Sequence, residues 1–201
     1  MAGHDIIVVG ASAGGPESLQ LLMSALPPEL PAALFVVVHF PPGSRSFLPA
    51  ILSRAGPLVA THATDGEAIR HGHVYIARPD HHLVLERGYV RVTHGPKENR
   101  FRPAVDVLFR SAAYAYGPRV IGVILTGQLD DGTAGLWAVK DRGGLAVVQD
   151  PQDALSPSMP RSALQHVAED YCLPIAEIGP LLERLTGEPA EEKTSTQRLK
   201  P

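Results

Sequence analysis

Three polar side chains that could act together in acyl transfer each follow a run of branched apolar residues. Ser12 lies in the turn Gly10-Ala-Ser-Ala-Gly14 after residues 6–9, His39 follows residues 33–38, and Asp131 follows residues 120–125. A serine hydroxyl is a poor nucleophile unless a base takes its proton, and an imidazole oriented by a carboxylate is such a base. If the three meet at one edge of a sheet, the sequence predicts a serine hydrolase.

Each residue also has a structural explanation. Ser12 can be read as a small residue that fits a glycine-rich turn, since G-x-S-x-G arises often by chance. His39 could pack at the end of its strand, and Asp131 could be the N-cap of the following helix. Three separate structural explanations would have to hold at three strand ends at once. A shared catalytic role explains all three residues together and is therefore favoured.

The glycine-rich turn has a second functional interpretation, as a phosphate-binding loop before a helix. No Gly-Lys-Ser/Thr sequence follows it, and Ser12 occupies the second glycine position of a dinucleotide fingerprint. His39 stands where an acidic residue would bind a ribose. A nucleotide-binding module therefore remains the weaker alternative, and we expect no cofactor.

Alternating apolar strands and amphipathic helices predict an α/β fold, a doubly wound and mostly parallel sheet with helices on both faces. Residues 65–92 differ, because their short strands and the Arg87-Gly88 turn indicate an antiparallel excursion of hairpins. Ser44 is a candidate cap for a helix whose apolar face is Phe47, Leu48, Ile51 and Leu52. In such sheets the ligand site lies beyond the carboxyl ends of the strands.

The bulk properties exclude several classes of protein. A net charge of −3 over 201 residues gives no reason to expect a nucleic-acid partner, and no apolar run is long enough to span a membrane. The single cysteine, Cys172, suits a reducing compartment and is predicted to be buried. The histidines at 71, 73, 81 and 82 lack partners at metal-ligand spacing, so no metal is expected. We expect a cytoplasmic monomer.

Several longer motifs add a resemblance, and they follow one another in a family's order. They are Val9-Gly-Ala-Ser-Ala-Gly-Gly15, His39-Phe-Pro-Pro-Gly43, Arg45-Ser-Phe47, Asp65-Gly-Glu67, Gly72-His-Val-Tyr-Ile-Ala77, Asn99-Arg-Phe-Arg-Pro-Ala-Val-Asp-Val-Leu-Phe109, Gly122-Val-Ile-Leu-Thr-Gly127, Asp131-Gly132 and Met159-Pro-Arg161. The chain thus resembles the catalytic domain of the chemotaxis receptor methylesterases (the CheB type) over about residues 5–185. We assign residues 1–186 to this domain and expect residues 187–201 to be a disordered tail.

The resemblance implies hydrolysis of glutamate γ-methyl esters on receptor signalling helices, together with deamidation of receptor glutamines at the same site. It implies that Ser12 is the nucleophile, His39 the general base and then acid, and Asp131 the orienting carboxylate. The backbone N–H groups of Ala13 and Gln128 match the family's oxyanion hole.

The implied substrate is acidic, so exposed arginines become candidates for attracting it, although ordinary surface arginines would look the same in the sequence. These candidates are Arg45, Arg100 and Arg102. Members of the family typically carry an N-terminal receiver domain, which suggests a separate receiver protein as a possible partner here.

The sequence departs from the family's usual Met-Gly at Gln128-Leu129. If the backbone at residue 129 adopts a positive φ, a leucine costs on the order of 1–2 kcal/mol or forces another turn. A shifted turn would move both the Gln128 amide and Asp131. This motivates the alternative interpretation, a catalytically weakened domain that binds receptors or another partner of a sensory pathway.

Overall fold

The computed structural model describes residues 3–40, 43 and 45–190. In chain order the strands and helices are β1 (Ile6–Ala11), α1 (Gly15–Ser24), β2 (Ala33–Val38), α2 (Leu48–Ala55), β3 (Val59–His62), β4 (His73–Ile76), β5 (His82–Glu86), β6 (Tyr89–Thr93), α3 (Val105–Tyr116), β7 (Val120–Ile124), α4 (Thr133–Asp141), β8 (Leu145–Gln149), α5 (Ser158–His166), β9 (Tyr171–Leu173) and α6 (Ile175–Thr186).

Seven strands form one parallel sheet in the order β3-β4-β2-β1-β7-β8-β9, which confirms the predicted α/β class. The central strands β1, β2 and β7 are buried along their whole length, as their continuous apolar runs predict. Alternate β1 side chains face two cores: Ile7 and Val9 pack with α1, α2 and α6, and Ile6 and Val8 with α3, α4 and α5. Helices therefore cover both faces of the sheet.

The prediction for residues 65–92 is partly wrong. Only β5 and β6 form an antiparallel hairpin, whereas β4 is a buried parallel strand between β2 and β3. No helix connects β3 to β4 in the described residues 63–72, and this absence makes β4 resemble a hairpin strand in the sequence. The connecting segment pairs with the hairpin, since the N–H of Gly66 donates to Val90 O and the N–H of Val90 to Glu67 O, both at 2.9 Å.

Three smaller expectations also need correction or lie outside the described residues. On α2 only Leu48 and Leu52 are buried, while Phe47 and Ile51 are 68% and 37% exposed. Cys172 is exposed because β9 is a three-residue edge strand with one neighbour. The predicted cap Ser44 lies outside the described residues.

The last helix ends at Thr186, where the predicted tail begins. Pro189 forms an isolated β-bridge with Gly3, and residues 191–201 of the tail lie outside the described residues. Among the helices described, none combines the length and the apolar character needed to cross a bilayer.

Candidate active site

The structure brings Ser12, His39 and Asp131 together at the carboxyl edge of the sheet. Because β1 lies between β2 and β7, the loops that follow these three strands are neighbours. The Nδ1 atom of His39 lies 3.2 Å from Ser12 Oγ, and its Nε2 atom lies 2.8 Å from Asp131 Oδ2. The side chains of His39 and Asp131 are 5% and 0% exposed. A hydroxyl, an imidazole and a carboxylate thus form one hydrogen-bonded chain.

The imidazole of His39 uses its two nitrogens for different partners. With the ring neutral, Nε2–H donates to Asp131 and Nδ1 accepts from the Ser12 hydroxyl, which leaves Nδ1 free to receive the serine proton. Phe101 stacks on the ring at a centroid distance of 3.6 Å and an interplanar angle of 1°. The stacked phenyl ring covers one face of the imidazole and restricts its rotation.

The turn that carries Ser12 depends on close contacts that only glycine allows. Gly14 has φ 77° and is the N-cap of α1, so the positive end of that helix lies beside Ser12. A Cβ at Gly127 would lie 2.9 Å from Ser12 Cβ, which shows how closely the loop after β7 approaches the serine. Thr126 joins the two loops, because its carbonyl accepts Ser12 N–H at 3.0 Å and its hydroxyl donates to Ala13 O at 2.9 Å.

The two backbone N–H groups predicted to form an oxyanion hole, those of Ala13 and Gln128, belong to the two loops that meet at Ser12. Ala13 follows the serine directly, and Gln128 follows the close contact between Gly127 and Ser12. Within the described part of the chain, no acceptor bonds to either N–H. Free N–H donors beside a nucleophile can stabilise an oxyanion.

The carboxylate of Asp131 accepts hydrogen bonds on both oxygens. Oδ2 accepts from His39 Nε2 and from the N–H of Val105 at 2.7 Å. Oδ1 accepts from Asn99 Nδ2 at 2.9 Å and from the N–H of Asp106 at 3.2 Å. Burial alone would raise the pKa of Asp131, but the hydrogen bonds from His39, Asn99 and Val105 outweigh it, and the pKa is lowered. Asp131 is therefore held in its charged form.

Asp131 and Asp106 cap each other's helices. Asp131 precedes α4 but accepts the N–H groups of Val105 and Asp106 at the start of α3. Asp106, in the first turn of α3, accepts the N–H groups of Gly132 and Gly135 at the start of α4, at 3.0 and 2.6 Å. Neither helix has a side-chain cap from its own N-cap residue. This exchange satisfies N–H groups that a helix start otherwise leaves free.

Asn99 links the two aspartates, and sequence reasoning missed both this residue and Asp106. The Nδ2 atom of Asn99 donates to Asp106 Oδ2 at 2.6 Å and to Asp131 Oδ1 at 2.9 Å. The pattern of residues 99–103 suggests the opening of a helix, whereas α3 begins only after them. A signal was present: a charged Asp106 on the core-facing side of α3 is out of place unless it is paired.

Asn99 and Arg100 are the central residues of a tight turn. Both have positive φ, 50° and 73°, and Glu98 and Phe101 exchange two backbone hydrogen bonds across them at 3.0 and 2.8 Å, as in a type I′ turn. Glu98 is fixed to α3 by a bidentate ion pair with Arg110 at 2.5 and 2.7 Å. One turn thus supplies the amide that contacts Asp131 and, at Phe101, the ring that contacts His39.

Comparison with known proteins identifies the family. The profile of the CheB methylesterase family matches residues 7–182. The chain belongs to the CheB methylesterase family. It is 38% identical to the chain in the crystal structure of the Thermotoga maritima CheB methylesterase catalytic domain, with a TM-score of 0.88, covering 92% of this chain and 100% of that one.

Curated relatives of this CheB-family chain carry a double name. A protein-glutamate methylesterase/protein-glutamine glutaminase 2 from Anaeromyxobacter dehalogenans is 40% identical over 182 residues, which are 90% of this chain and 53% of the relative. One of the same name from Methanosarcina mazei is 36% identical over 180 residues, 86% of this chain and 49% of the relative. The chain spans about half the length of these two relatives. A Leptospira interrogans protein, given this name provisionally, is 37% identical over 191 residues, 94% of this chain and 99% of its own length.

The departure at Leu129 follows the first of the two outcomes expected from the sequence. Leu129 has φ 66°, so a leucine adopts the left-handed conformation at the position where the CheB family usually has glycine. The side chain is 48% exposed and has room despite this backbone. The turn is not displaced from the site, since Asp131 two residues later lies 2.8 Å from His39.

The three arginines proposed from the CheB resemblance lie in different environments. Arg45 and Arg100 are exposed and form no ion pair with any described residue. Arg102 is 15% exposed and is held by Asp80 at 2.8 Å and by the carbonyl of Gly95 at 2.7 Å. Arg45 and Arg100 are therefore able to meet an anionic partner, and Arg102 fixes its own loop.

A groove lies along the same edge of the sheet, at the ends of β3 and β4. The groove has a volume of about 580 Å³. Its lining residues are Gly43, His62, Arg78, Pro79, Asp80 and His81. Across the described residues, no three His, Cys, Asp or Glu side chains are arranged to hold a metal ion.

Proposed function

We propose that the protein is a protein-glutamate methylesterase that removes γ-methyl esters from glutamates of chemoreceptor-like signalling proteins. The single observation that carries the proposal is the hydrogen-bonded chain from Ser12 through His39 to Asp131. It occurs in a CheB-family chain whose relatives are named for this activity.

The geometry supports a two-step acyl transfer. Ser12 Oγ attacks the γ-carbonyl carbon while its proton passes to His39 Nδ1, and the charge on the carbonyl oxygen faces the N–H groups of Ala13 and Gln128. The protonated imidazole then gives its proton to the departing methoxy group, and methanol leaves. Water, deprotonated by His39, hydrolyses the acyl-serine and returns a free glutamate and the serine hydroxyl.

The same steps would convert a glutamine side chain to glutamate, with ammonia leaving in place of methanol. The relatives' names include protein-glutamine glutaminase, so we include this deamidation in the proposal. An amide is the less reactive acyl compound, and we expect deamidation to be the slower reaction. No step requires a cofactor.

The substrate in this proposal is an acidic helix of a methyl-accepting receptor, exposed in the cytoplasm. Arg45 and Arg100 are exposed cations that can attract its carboxylates. The groove at the same edge of the sheet offers room for the residues that flank the ester. We expect the chain to act as a monomer, and a separate receiver protein is a candidate regulatory partner.

The proposal is tested by incubating the protein with receptor that carries labelled methyl esters and measuring the release of methanol. We expect release by the wild-type protein and none above background by Ser12→Ala. Equal release by the two proteins, or none by either with several receptors from the same genome, would contradict the proposal.

A second candidate function is a receptor- or partner-binding domain with weakened catalysis, which the left-handed Leu129 beside the Gln128 amide favours. Reaction with a fluorophosphonate probe separates the two functions, because the probe requires an activated serine but no receptor. Rapid labelling of Ser12 supports the esterase, whereas an unreactive Ser12 with intact receptor binding supports the binding domain.

A further inference from the structure

A neutral amide stands between two buried carboxylates at the far end of the catalytic chain. Asn99 Nδ2 contacts Asp106 at 2.6 Å and Asp131 at 2.9 Å. We propose that Asn99 and Asp106 are positioning residues for hydrolysis at Ser12: Asp106 fixes the amide of Asn99, and the amide fixes the carboxylate of Asp131 against His39. This inference rests on the function proposed above.

The position of Asp106 is fixed by both of its neighbouring helices. It belongs to α3, and its Oδ1 atom is bound by the N–H groups of Gly132 and Gly135 at the start of α4. Its second oxygen, Oδ2, remains for the amide of Asn99. Asp106 is only 4% exposed, so water does not compete for that oxygen. Asp106 is thus a rigid acceptor that defines where the Asn99 amide lies.

The chemistry of the site explains why an amide serves as the link. An NH₂ group carries two hydrogens that diverge, so one nitrogen can donate to both aspartates. A hydroxyl has a single hydrogen and could satisfy only one of them. A lysine or arginine could donate to both but would neutralise Asp131, and that charge is needed to stabilise the protonated imidazole of His39. Asn99 holds the carboxylate without cancelling its charge.

The two buried carboxylates of Asp106 and Asp131 repel each other unless a hydrogen-bond donor lies between them. Burial raises the pKa of Asp106, the N–H of Gly135 opposes this, and the nearby charge of Asp131 raises the pKa further. The two carboxylates therefore repel each other across a small buried space. Two N–H bonds from Asn99 lie between them and offset this repulsion.

A purely structural role for Asp106, as the cap of α4, is the competing explanation. Asp106→Asn separates the two, because the new amide oxygen can still accept from Gly132 and Gly135. Its NH₂ group, however, replaces the oxygen that bonds Asn99, and two NH₂ groups then face each other. We expect kcat to fall about 10- to 100-fold, the range in which a small displacement of a reacting group lowers rates, with KM nearly unchanged.

Asn99→Gly removes the same link from the other side. Glycine adopts φ 50° readily, so the turn from Glu98 to Phe101 is retained and only the amide is lost. We expect a decrease in kcat similar to that of Asp106→Asn.

The double variant Asn99→Asp/Asp106→Asn tests whether the residue at position 99 must donate a hydrogen bond to Asp131 or need only bond to position 106. It keeps the net charge and restores a hydrogen bond between positions 99 and 106, with donor and acceptor exchanged. The carboxylate introduced at position 99 has no N–H to donate to Asp131, so kcat should stay low. Recovery of kcat to the wild-type value would overturn the proposal, since it would show that only the bond between positions 99 and 106 matters.

Asp170→Asn is the matched control. Asp170 also holds a backbone N–H, that of Ala146 at 2.7 Å, together with Lys140, but it lies at the opposite edge of the sheet. We expect this variant to lose stability without a change in kcat. If Asn99→Gly and Asp106→Asn keep kcat within about twofold of wild type, the positioning role is wrong.

A readout that does not depend on the receptor separates failure of this inference from failure of the proposed function. The Nε2–H proton of His39, bonded to Asp131, should give a strongly downfield NMR signal that shifts or broadens in Asn99→Gly and Asp106→Asn but not in Asp170→Asn. An unchanged signal in all variants overturns the inference even if the wild-type protein is an esterase. A changed signal with no methanol release by wild type supports the positioning geometry and contradicts the esterase.

Discussion

Two aspartate–histidine pairs lie at opposite edges of the sheet. They consist of the same residue types but differ in burial and in the groups that bind the carboxylate. At the carboxyl edge, His39 and Asp131 are 2.8 Å apart, with side chains 5% and 0% exposed. At the amino edge, His71 and Asp5 are 3.2 Å apart, with side chains 53% and 13% exposed. Asp5 also binds the guanidinium of Arg119 at 2.8 and 2.6 Å.

The difference lies in what holds each carboxylate. Arg119 neutralises Asp5, so His71 adds little and the group ties the start of β1 to the start of β7. Within the described chain Asp131 meets no lysine or arginine, and apart from His39 its hydrogen bonds come from a neutral amide and two backbone N–H groups. The negative charge of Asp131 is therefore not neutralised by a cation and can stabilise the imidazole of His39. In the function proposed above, the pair that keeps its charge serves catalysis, and we expect the pair whose charge is cancelled to serve only as a structural clamp.

The two edges also differ in backbone strain. Non-glycine residues with positive φ, among those described, all lie in loops at the carboxyl edge: Asp80, Asn99, Arg100 and Leu129. In the amino-edge loops the positive φ values belong to glycines, as at Gly72, Gly117 and Gly143. Strain that persists in non-glycine residues is typical of functional sites.

The largest expected effect tests the comparison directly. Asp131→Asn should reduce kcat about 10⁴-fold, because the amide no longer stabilises the protonated imidazole and can favour the wrong tautomer. Methanol release from methylated receptor measures it. Asp5→Asn, the same substitution in the other pair, should leave kcat unchanged. Similar decreases in the two variants would remove the distinction between the edges.

The reverse effect is expected for stability. Asp5→Asn should lower the free energy of unfolding by about 1–2 kcal/mol, because it breaks a bidentate bond to Arg119 that is partly shielded from water. Urea denaturation followed by circular dichroism gives this value. A change smaller than the error of the measurement would mean that the amino-edge group is not a clamp.

The acid sensitivity of the fold should depend on Asp131. Its pKa is lowered in the folded protein, against burial, by the hydrogen bonds from His39, Asn99 and Val105. The charged carboxylate therefore contributes stability that is complete above the ordinary carboxyl pKa of about 3.9 and is lost as the pH falls through the lowered value. Below about pH 4, the decline of unfolding free energy with acidification should be less steep in Asp131→Asn than in wild type. Equal slopes in denaturation series at several pH values would contradict this.

The sequence predicted the main features of this site for a physical reason. Long apolar runs identify β1, β2 and β7, and the polar residue after each run falls at the same edge because parallel strands point the same way. The roles of Asn99 and Asp106 were not predicted. Both depend on contacts with Asp131, which lies 32 residues after Asn99 and 25 residues after Asp106 in the chain. Local periodicity carries no information about contacts at such separations. The same limit explains β4, whose parallel pairing depends on a connection without a helix.

The smallest expected effect concerns the backbone strain at Leu129, which has a positive φ. Leu129→Gly should raise the free energy of unfolding by up to about 1 kcal/mol, since the relief of a left-handed leucine is partly offset by the greater freedom of glycine in the unfolded chain. Differential scanning calorimetry detects this as a small rise in Tm. A fall in Tm would show that the half-exposed Leu129 side chain packs usefully and that the strain is minor.

The order of strands in the sheet has a consequence for how the chain becomes active. The hydrogen bond between His39 and Ser12 joins residues 27 apart in the chain, and the bond between His39 and Asp131 joins residues 92 apart. The second separation is long because the hairpin and α3 lie between β2 and β7 in the sequence, although β7 pairs with β1. Contacts so distant along the chain form slowly. If the protein is the esterase proposed above, we expect the newly made chain to hold no reactive nucleophile until β7 has joined β1 and brought Asp131 to His39.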